Sequence, residues 1–185
     1  MNIQIREVSR AERPALSSHF LVLGPDDRRL RFGTPLSDYS VRQYVERIDF
    51  GRDAVFAVAD DELKFLGVAH LARGNGHAEL GVSVLEAYRG GGLGGALLER
   101  AHLHARNWGV RALFMHCLTE NAAMMRLARR QHMDIVVEAG GMPLSAVLVV
   151  LVPVLLNTNI STSASTIPPA TQPHIALEDS SSPSR

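Results

Sequence analysis

The spacing of apolar and polar residues predicts seven β-strands along the chain. Two apolar runs of strand length in the middle of the chain are separated by the acidic turn Asp60-Asp61-Glu62, and a Gly74-Asn75-Gly76 turn follows the second run. Alternation of polar and apolar residues marks the first strand, and Gly140-Gly141 between two apolar runs predicts a closing hairpin. The predicted strands cover residues 3–8, 54–59, 65–71, 78–84, 112–118, 134–139 and 144–151.

Four helices are predicted from apolar residues at helical spacing and from capping residues. Ser9 with Glu12 forms a capping-box pattern, and Ser40 with Gln43 repeats it; Gly24-Pro25 is expected to stop the first helix. The helices are expected over residues 9–22, 40–48, 93–108 and 121–130. The resulting order, β-α-α-β-β-β-α-β-α-β-β, predicts an α/β (α+β) fold. Its sheet is mixed and mostly antiparallel, with one parallel crossover, and about four helices flank it.

A change of composition near residue 157 divides the chain into two parts. Residues 157–185 include seven Ser, four Thr and four Pro and no aromatic residue. Such a segment cannot bury enough apolar surface to offset the entropy lost on ordering. We therefore expect a folded domain over residues 1–156 and a disordered Ser/Thr/Pro-rich tail over residues 157–185.

The hydrophobic pattern argues against a membrane protein. The most apolar stretch, residues 144–156, has 13 residues with Pro153 among them, whereas a spanning helix needs about 20. We interpret this stretch as a buried strand or hairpin. The first residues lack the basic and apolar regions of a signal peptide, so we expect no membrane partner and a cytoplasmic location.

Charge and residue counts exclude further classes of function. The 19 Lys and Arg residues balance the 19 Asp and Glu residues, which leaves no electrostatic footprint for a nucleic-acid partner. Cys117 is the single cysteine, so a disulfide framework is excluded and a reducing compartment is expected. The eight histidines have no companions at ligand spacing, and no metal site is predicted.

The segment with the most specific chemistry is the glycine-rich turn at residues 89–95, which lies between a predicted strand and a predicted helix. Backbone amides that converge beside a helix N-terminus bind phosphate, and Arg89 adds a cation. The turn lacks the Gly-Lys-Ser/Thr ending of a Walker A loop. Gly90, Gly92 and Gly95 match the dinucleotide-binding G-x-G-x-x-G literally, but no acidic residue ends the next strand at the expected spacing. The pattern R-x-x-G-x-G/A is satisfied from Arg89 to Gly94.

With this turn, residues 78–133 resemble the GNAT superfamily of acyl-CoA-dependent N-acetyltransferases, and the element order fits that family over residues 1–152. The resemblance implies that acetyl-CoA is the co-substrate. It also implies that the strand before the turn pairs with pantetheine, while the turn amides hold the pyrophosphate. Asn121 matches a family asparagine that contacts the CoA arm, and it is equally suited to cap a helix. The residues assigned to acetyl-CoA in this way are Val82, Ser83, Val84, Arg89, Gly90, Gly91, Gly92, Leu93, Gly94, Gly95 and Asn121.

The distribution of charge agrees with a polyanionic co-substrate. Residues 76–133 hold seven Arg and four Glu, whereas residues 1–75 hold eleven charges of each sign. The surplus of positive charge therefore falls on the half with the glycine-rich turn. Arg126, Arg129 and Arg130 are candidates for binding the adenosine phosphate, and the alternative is a solvated helix face.

The resemblance also implies a base and an acid for transfer to an amine. Glu79 is the candidate base, and the alternative is an exposed glutamate on a strand face. Family members commonly carry a tyrosine near the cofactor sulfur, but the aligned residue is Ala128. Tyr88, His116 and Cys117 are the alternative acids, and a thiol with a pKa near ~8.5 can also leave as thiolate.

Three functions are compatible with these residues. The first is an N-acetyltransferase acting on a protein lysine, an N-terminus or a small-molecule amine. Residues 28–33 and the helix at 40–48 resemble the segment that roofs the acceptor site in GNAT proteins related to protein acetyltransferases. The second is a module that senses acyl-CoA with weak turnover, suggested by Ala128, and the third is an NAD(P)-binding oxidoreductase. Both a monomer and a homodimer fit the strongly apolar run at 144–156.

Overall fold

The computed structural model describes residues 4–137 and 145–151, which form one seven-stranded sheet with helices packed against it. The strands are β1 (Ile5–Glu7), β2 (Ala54–Ala59), β3 (Phe65–Arg73), β4 (His77–Val84), β5 (Ala112–Leu118), β6 (Asp134–Val137) and β7 (Ser145–Leu151). The helices are α1 (Arg13–Val22), α2 (Pro25–Phe32), α3 (Asp38–Glu46), α4 (Leu93–Asn107) and α5 (Ala122–Arg130), with short 3-10 turns at Arg10–Glu12 and Glu86–Tyr88.

The sheet has the strand order β1-β2-β3-β4-β5-β7-β6. Every neighbouring pair is antiparallel except β4 and β5, which are parallel and joined by a crossover through α4. The predicted fold class is therefore confirmed, and all seven predicted strands are present. The predicted Gly140-Gly141 turn and the predicted tail at 157–185 lie outside the described residues.

The prediction of about four helices missed α2, so the observed order is β-α-α-α-β-β-β-α-β-α-β-β. Gly24-Pro25 does end α1, but Pro25 is also the first residue of α2, where a proline lacks no needed hydrogen bond. Asp26 and Asp27 lie in the first turn, and Gly33 ends the helix with φ of +78°. No residue of α2 is buried, so the hydrophobic periodicity that marks the other helices is missing here.

The start of α3 was also predicted wrongly. Ser37, rather than Ser40, is the N-cap, and its hydroxyl accepts a hydrogen bond from the backbone N–H of Ser40. The pairing of Ser9 with Glu12 is present as predicted, since the Glu12 carboxylate accepts from the backbone N–H of Ser9. Within the described ranges, no helix is long and apolar enough to cross a membrane.

Two apolar cores lie on opposite faces of the sheet. On one face, Leu80 and Val82 of β4 pack with residues of α4, α5 and β5 such as Leu97 and Leu113. On the other face, helices α1 and α3 cover β2 and β3, and Phe20 is fully buried there. Burial of one such side chain contributes about 1.5–3 kcal/mol. Because side chains alternate along β4, Glu79, Gly81 and Ser83 lie on the face that α1 and α3 cover.

Candidate active site

Strands β4 and β5 stop pairing in the middle of the sheet. They are paired only from His77 with Ala112 to Glu79 with Phe114. β4 then continues to Val84 and β5 to Leu118. The two parallel strands therefore leave an opening between their C-terminal halves, which is the edge of a parallel sheet where ligands commonly bind.

The backbone of β4 presents free hydrogen-bonding groups to this opening. Gly74 N–H donates to His77 C=O, and Leu85 N–H donates to Leu66 C=O, which fixes the phase of the ladder between β3 and β4. The odd-numbered residues of β4 therefore bond to β3. Val82 and Val84 direct their N–H and C=O groups towards the opening.

The glycine-rich turn lies at the end of β4 and leads into the N-terminus of α4. Gly90 and Gly92 have φ of +82° and +87°. Glycine adopts this left-handed region without the steric strain that a Cβ would cause. Within the described part of the chain, the N–H groups of residues 90–95 donate to no protein acceptor. They form a set of unpaired donors at the positive end of a 15-residue helix, α4.

Arg89 is held by the protein itself. Its Nε donates to the C=O of Val84 at 3.0 Å, and its Nη2 lies 2.7 Å from Oδ2 of Asp27 in α2. These contacts take up part of its donor capacity, so the anion-binding character of the turn comes mainly from backbone N–H groups. The pairing of Arg89 with Asp27 could not be predicted from the sequence, because the helix that carries Asp27 was not predicted.

Helix α2 is anchored on both sides of the opening. Asp27 pairs with Arg89 after β4, and Arg29 pairs with Glu120 after β5. The helix therefore spans the C-terminal ends of the two separated strands. Residues 28–32, part of the segment that resembles the roof of an acceptor site, belong to this helix, and Gly33 ends it.

A polar cluster lies beneath α2 on the α1–α3 face of the sheet. Arg31 Nη2 donates to Tyr44 Oη at 2.9 Å, and the Tyr44 hydroxyl lies 2.6 Å from His70 Nδ1. Because Tyr44 Oη accepts from Arg31, its own proton points to His70. Burial raises the pKa of Tyr44, and the Glu79 and Asp53 carboxylates add to the shift while Arg31 opposes it.

Asp53 ends this chain of contacts at β2. Its Oδ2 lies 3.4 Å from His70 Nε2, and its Oδ1 lies 3.0 Å from Arg52 Nε. Burial alone would raise the pKa of the Asp53 carboxyl. Hydrogen bonds from His70 and Arg52 outweigh it and hold that pKa well below its usual range.

A second buried pair joins α1 to β4. His19 Nδ1 lies 2.7 Å from the C=O of Phe65, so it carries the proton, and Nε2 accepts from the Ser83 hydroxyl at 2.8 Å. Burial lowers the pKa of His19 to about 4, with a further contribution from Arg31. His19 is therefore neutral near pH 7. Ser83 is 8% exposed and its side chain is bonded to His19. Its backbone groups bond to β3, so neither its side chain nor its backbone faces the opening, unlike Val82 and Val84.

Glu79 lies at the point where β4 and β5 separate. It is the last residue of β4 that pairs with β5, and it is half-buried. Its side chain accepts no hydrogen bond from a described residue, whereas its charge reaches Tyr44. An unpaired carboxylate at the start of the opening is suited to accept a proton.

The candidate acids lie in different places. Tyr88 is the last residue of the 3-10 turn that follows β4, and it interacts electrostatically with Lys64 of the turn between β2 and β3. Cys117 points into the α4–α5 core, and burial raises the pKa of its thiol to about 11. His116 is exposed on the other face of β5. Ala128, at the position of the expected tyrosine, is fully buried.

Asn121 caps α5, with its side-chain oxygen accepting from the backbone N–H of Met124 at 3.0 Å. Leu127 of the same helix lies within reach of Gly94 and Gly95, where an added Cβ would come within 3.7–3.9 Å of its methyl groups. Helix α5 therefore borders the glycine-rich turn. Arg126, Arg129 and Arg130 are exposed on α5. Across residues 4–137 and 145–151, no group of three or more His, Cys, Asp or Glu could hold a metal ion.

The residues that sequence reasoning missed are those that meet only in three dimensions. Arg31, Tyr44 and His70 come from α2, α3 and β3, and no local spacing relates them. Gly81 is a partial signal: an added Cβ would lie 2.2 Å from the Arg31 guanidinium, so a side chain there would displace the guanidinium from its present position. A glycine in a strand interior indicates the close approach of another group, and that signal was present in the sequence.

Comparison with known proteins was made for both sequence and fold. The sequence model of the acetyltransferase (GNAT) family matches residues 24–133. A search of curated protein sequences gave no match. Many solved structures resemble the fold.

The GNAT domain of S. lividans PAT has a TM-score of 0.67 and 21% identity, covering 80% of this chain and 90% of that one. The ribosomal-protein-alanine N-acetyltransferase from Brucella melitensis has a TM-score of 0.62 and 23% identity, covering 80% and 99% of the two chains. A GNAT superfamily phosphinothricin acetyltransferase from Sinorhizobium meliloti, solved in complex with AcCoA, has a TM-score of 0.65 and 15% identity, covering 82% and 89%. At these identities the likeness shows a common fold.

Proposed function

The chain belongs to the acetyltransferase (GNAT) family and is an acyltransferase, and from this premise we propose that it transfers the acetyl group of acetyl-CoA to an amine by direct attack in a ternary complex. The observation that carries the proposal is the opening between β4 and β5, bordered by the N–H and C=O of Val82 and by the N–H of Val84, whose C=O accepts from Arg89. The unpaired N–H groups of residues 90–95 lie at the end of that same edge. An extended chain ending in phosphates matches this arrangement.

The residues present fit acetyl-CoA. Val82 and Val84 would pair with the pantetheine amides as an added strand would, and the turn N–H groups would hold the diphosphate. Bound in this way, acetyl-CoA supplies the activated acetyl thioester.

We propose Glu79 as the base, acting directly or through a water. An alkyl amine has a pKa near ~10.4 and attacks only when neutral, so a carboxylate that accepts its proton increases the reactive fraction. The backbone N–H groups of Val82 and Val84 are the proposed donors to the oxyanion that forms on the thioester carbonyl. The C–N bond forms as the amine adds to the carbonyl, which gives the oxyanion, and Glu79 takes up the amine proton. When the oxyanion collapses to the amide, the C–S bond breaks and CoA leaves as thiolate.

No tyrosine is needed for the thiolate to leave. A free thiol has a pKa near ~8.5, so the CoA sulfur can leave as thiolate near neutral pH. Ala128 removes the family's usual donor, and the raised pKa of Cys117 makes it a poor acid. Tyr88 lies in the turn after β4 within electrostatic reach of Lys64, and no contact places it at the opening among the described residues. We therefore propose transfer without a dedicated acid from these residues.

The acceptor is proposed as an amine held beneath α2. Two similar structures carry names that specify N-acetylation of alanine on a ribosomal protein and acetylation of phosphinothricin, and both acceptors are amines. An acyl-CoA-sensing module with little turnover is the second candidate, because Ala128 occupies the position of the usual tyrosine.

A thiol-release assay with acetyl-CoA and a panel of amines separates these two candidates. We expect CoA release that depends on one class of amine, together with an acetylated product detected by mass spectrometry. Binding of acetyl-CoA without release for any amine would favour the sensing module and contradict the proposed transfer.

A further inference from the structure

Arg31 is a cation without a carboxylate partner among the described residues. Its guanidinium lies over the rings of Phe32, Phe20 and Tyr44, with Cζ 4.8, 5.7 and 5.7 Å from the ring centroids. Its Nη2 donates to the Tyr44 hydroxyl, which is neutral. Its Nε is fully buried and has no acceptor. The other arginines of α2 differ, since Arg28 pairs with Asp38 and Arg29 pairs with Glu120.

An enclosed guanidinium with an unused donor is costly unless an anion approaches it. The aromatic rings recover part of that cost through cation–π contacts, which are individually small. Nη1 makes no hydrogen bond within the described ranges, and unlike Nε it is not completely buried. Arg31 therefore offers one free N–H edge to a ligand that enters beneath α2.

The position of Arg31 relates this edge to the proposed reaction site. The guanidinium lies against Gly81, so close that an added Cβ would overlap it. Glu79 is the last residue of β4 that pairs with β5. Gly81 lies two positions after Glu79, on the same face of the strand. Same-face positions of a strand are about 6.6 Å apart. A small molecule that carries an amine and a carboxylate is of the size to contact groups at two neighbouring same-face positions, with a hydrogen bond of about 2.8 Å at each end.

We propose that the acceptor is a small amino acid-like compound, whose carboxylate binds Arg31 while its amine lies at Glu79. This inference rests on the proposed function and names the substrate class of the same site. The carboxylate accepts from Arg31 Nη1, which compensates the buried positive charge, and the amine is presented to the acetyl thioester at the opening. A neutral amine, or a lysine side chain within a protein, leaves Arg31 without its partner.

The test compares amino acids with their amides, which differ only in the carboxylate. We expect kcat/KM to favour the acids by roughly 10- to 100-fold, the range for a charge-assisted hydrogen bond. In Arg31→Gln the ratio should fall to within about twofold of unity, whereas Arg31→Lys should retain part of it. Arg42→Gln removes an exposed charge on α3 and should keep the wild-type ratio. Thermal unfolding of each variant checks that it is folded.

A binding measurement keeps the inference separate from the proposed transfer. With CoA present, an acid should raise the Tm of the wild type more than its amide does, and Arg31→Gln should remove the difference. Acids and amides that are acetylated equally well by the wild type would overturn the inference and leave the transfer intact. Without any turnover, a selective Tm shift that depends on Arg31 would still support the inference, and equal shifts would overturn it.

Discussion

His19 is a buried histidine whose two ring nitrogens are both hydrogen-bonded. It donates to Phe65 C=O and accepts from Ser83, and its pKa is lowered to about 4 by burial. As the pH falls below 6.5, His19 becomes protonated in the unfolded chain but stays neutral in the folded chain. The contribution of neutral His19 to the free energy of unfolding is fully present above pH 6.5 and is lost as the pH falls towards 4.

This gives a prediction for stability against pH. Between pH 7.5 and pH 5.0 His19 should cost the wild type about 2 kcal/mol of unfolding free energy, and His19→Gln should lose correspondingly less over that interval. Urea denaturation at both pH values measures the difference. Val41→Ala, a core variant without a titratable group, should lower the stability equally at both. An unchanged pH dependence in His19→Gln would contradict the assignment.

A second prediction concerns Glu79 as the proton acceptor. Glu79→Gln should lower kcat/KM at least tenfold near pH 7, where the amine must be deprotonated by the protein. The loss should shrink as the pH approaches 10, because the amine is then neutral without help. Glu99→Gln, an exposed change on α4, is the matched control and should follow the wild-type profile. A pH profile of Glu79→Gln that overlays the wild type would exclude Glu79 as the base.

At the residue scale, the sequence predicts what a local motif contains. Glu79, Val82 and the glycines can be named from one segment of 17 residues, 79–95. Arg31 and His19 could not be named, because each meets its partners across more than 10 residues of chain, His19 across 64 to Ser83. Their contacts depend on how α1 and α2 pack on the sheet, which residue spacing does not encode.

At the scale of elements, the glycine-rich turn and α4 form the unit that the account assigns to the diphosphate. Gly92 has φ of +87°, and Gly109, beyond the other end of α4, has φ of +70°; an added Cβ meets no atom within 4 Å at either site. The two glycines therefore carry the same conformational penalty for alanine, about 1 kcal/mol. They differ only in that Gly92 lies in the proposed binding turn.

The matched pair Gly92→Ala and Gly109→Ala tests this assignment. Both should lose about 1 kcal/mol of stability in urea denaturation. Only Gly92→Ala should weaken acetyl-CoA binding, by tenfold or more, because its backbone N–H turns away and its methyl group enters the phosphate site. Equal affinities for acetyl-CoA in the two variants would place the diphosphate elsewhere.

Helix α2 shows where element prediction failed and why. Its signals were all present: proline at the first position, acidic residues in the first turn and Gly33 at the end. These signals did not lead to a predicted helix because α2 has no buried residue and therefore no apolar periodicity. Ion pairs to Arg89 and Glu120 hold it in place. Hydrophobic periodicity detects helices that pack on a core, and α2 spans an opening.

At the scale of the whole molecule, the fold class and the strand order along the chain were predictable from alternation and turn residues. The separation of β4 from β5 was not, because pairing between parallel strands depends on a crossover through α4 and on register. That separation creates the site: it exposes the edge of β4 beside the turn at 89–95. The resemblance supplied a role for this edge, and family membership supports that role.

The measurement that tests the central claim most directly is a calorimetric titration of the whole chain with acetyl-CoA, with desulfo-CoA and NADH as comparison ligands. The account predicts one site for acetyl-CoA and for desulfo-CoA, since the pantetheine and diphosphate contacts are shared, and no binding of NADH. Binding of NADH without binding of acetyl-CoA would contradict it, because the opening between β4 and β5 would then not be an acyl-CoA site.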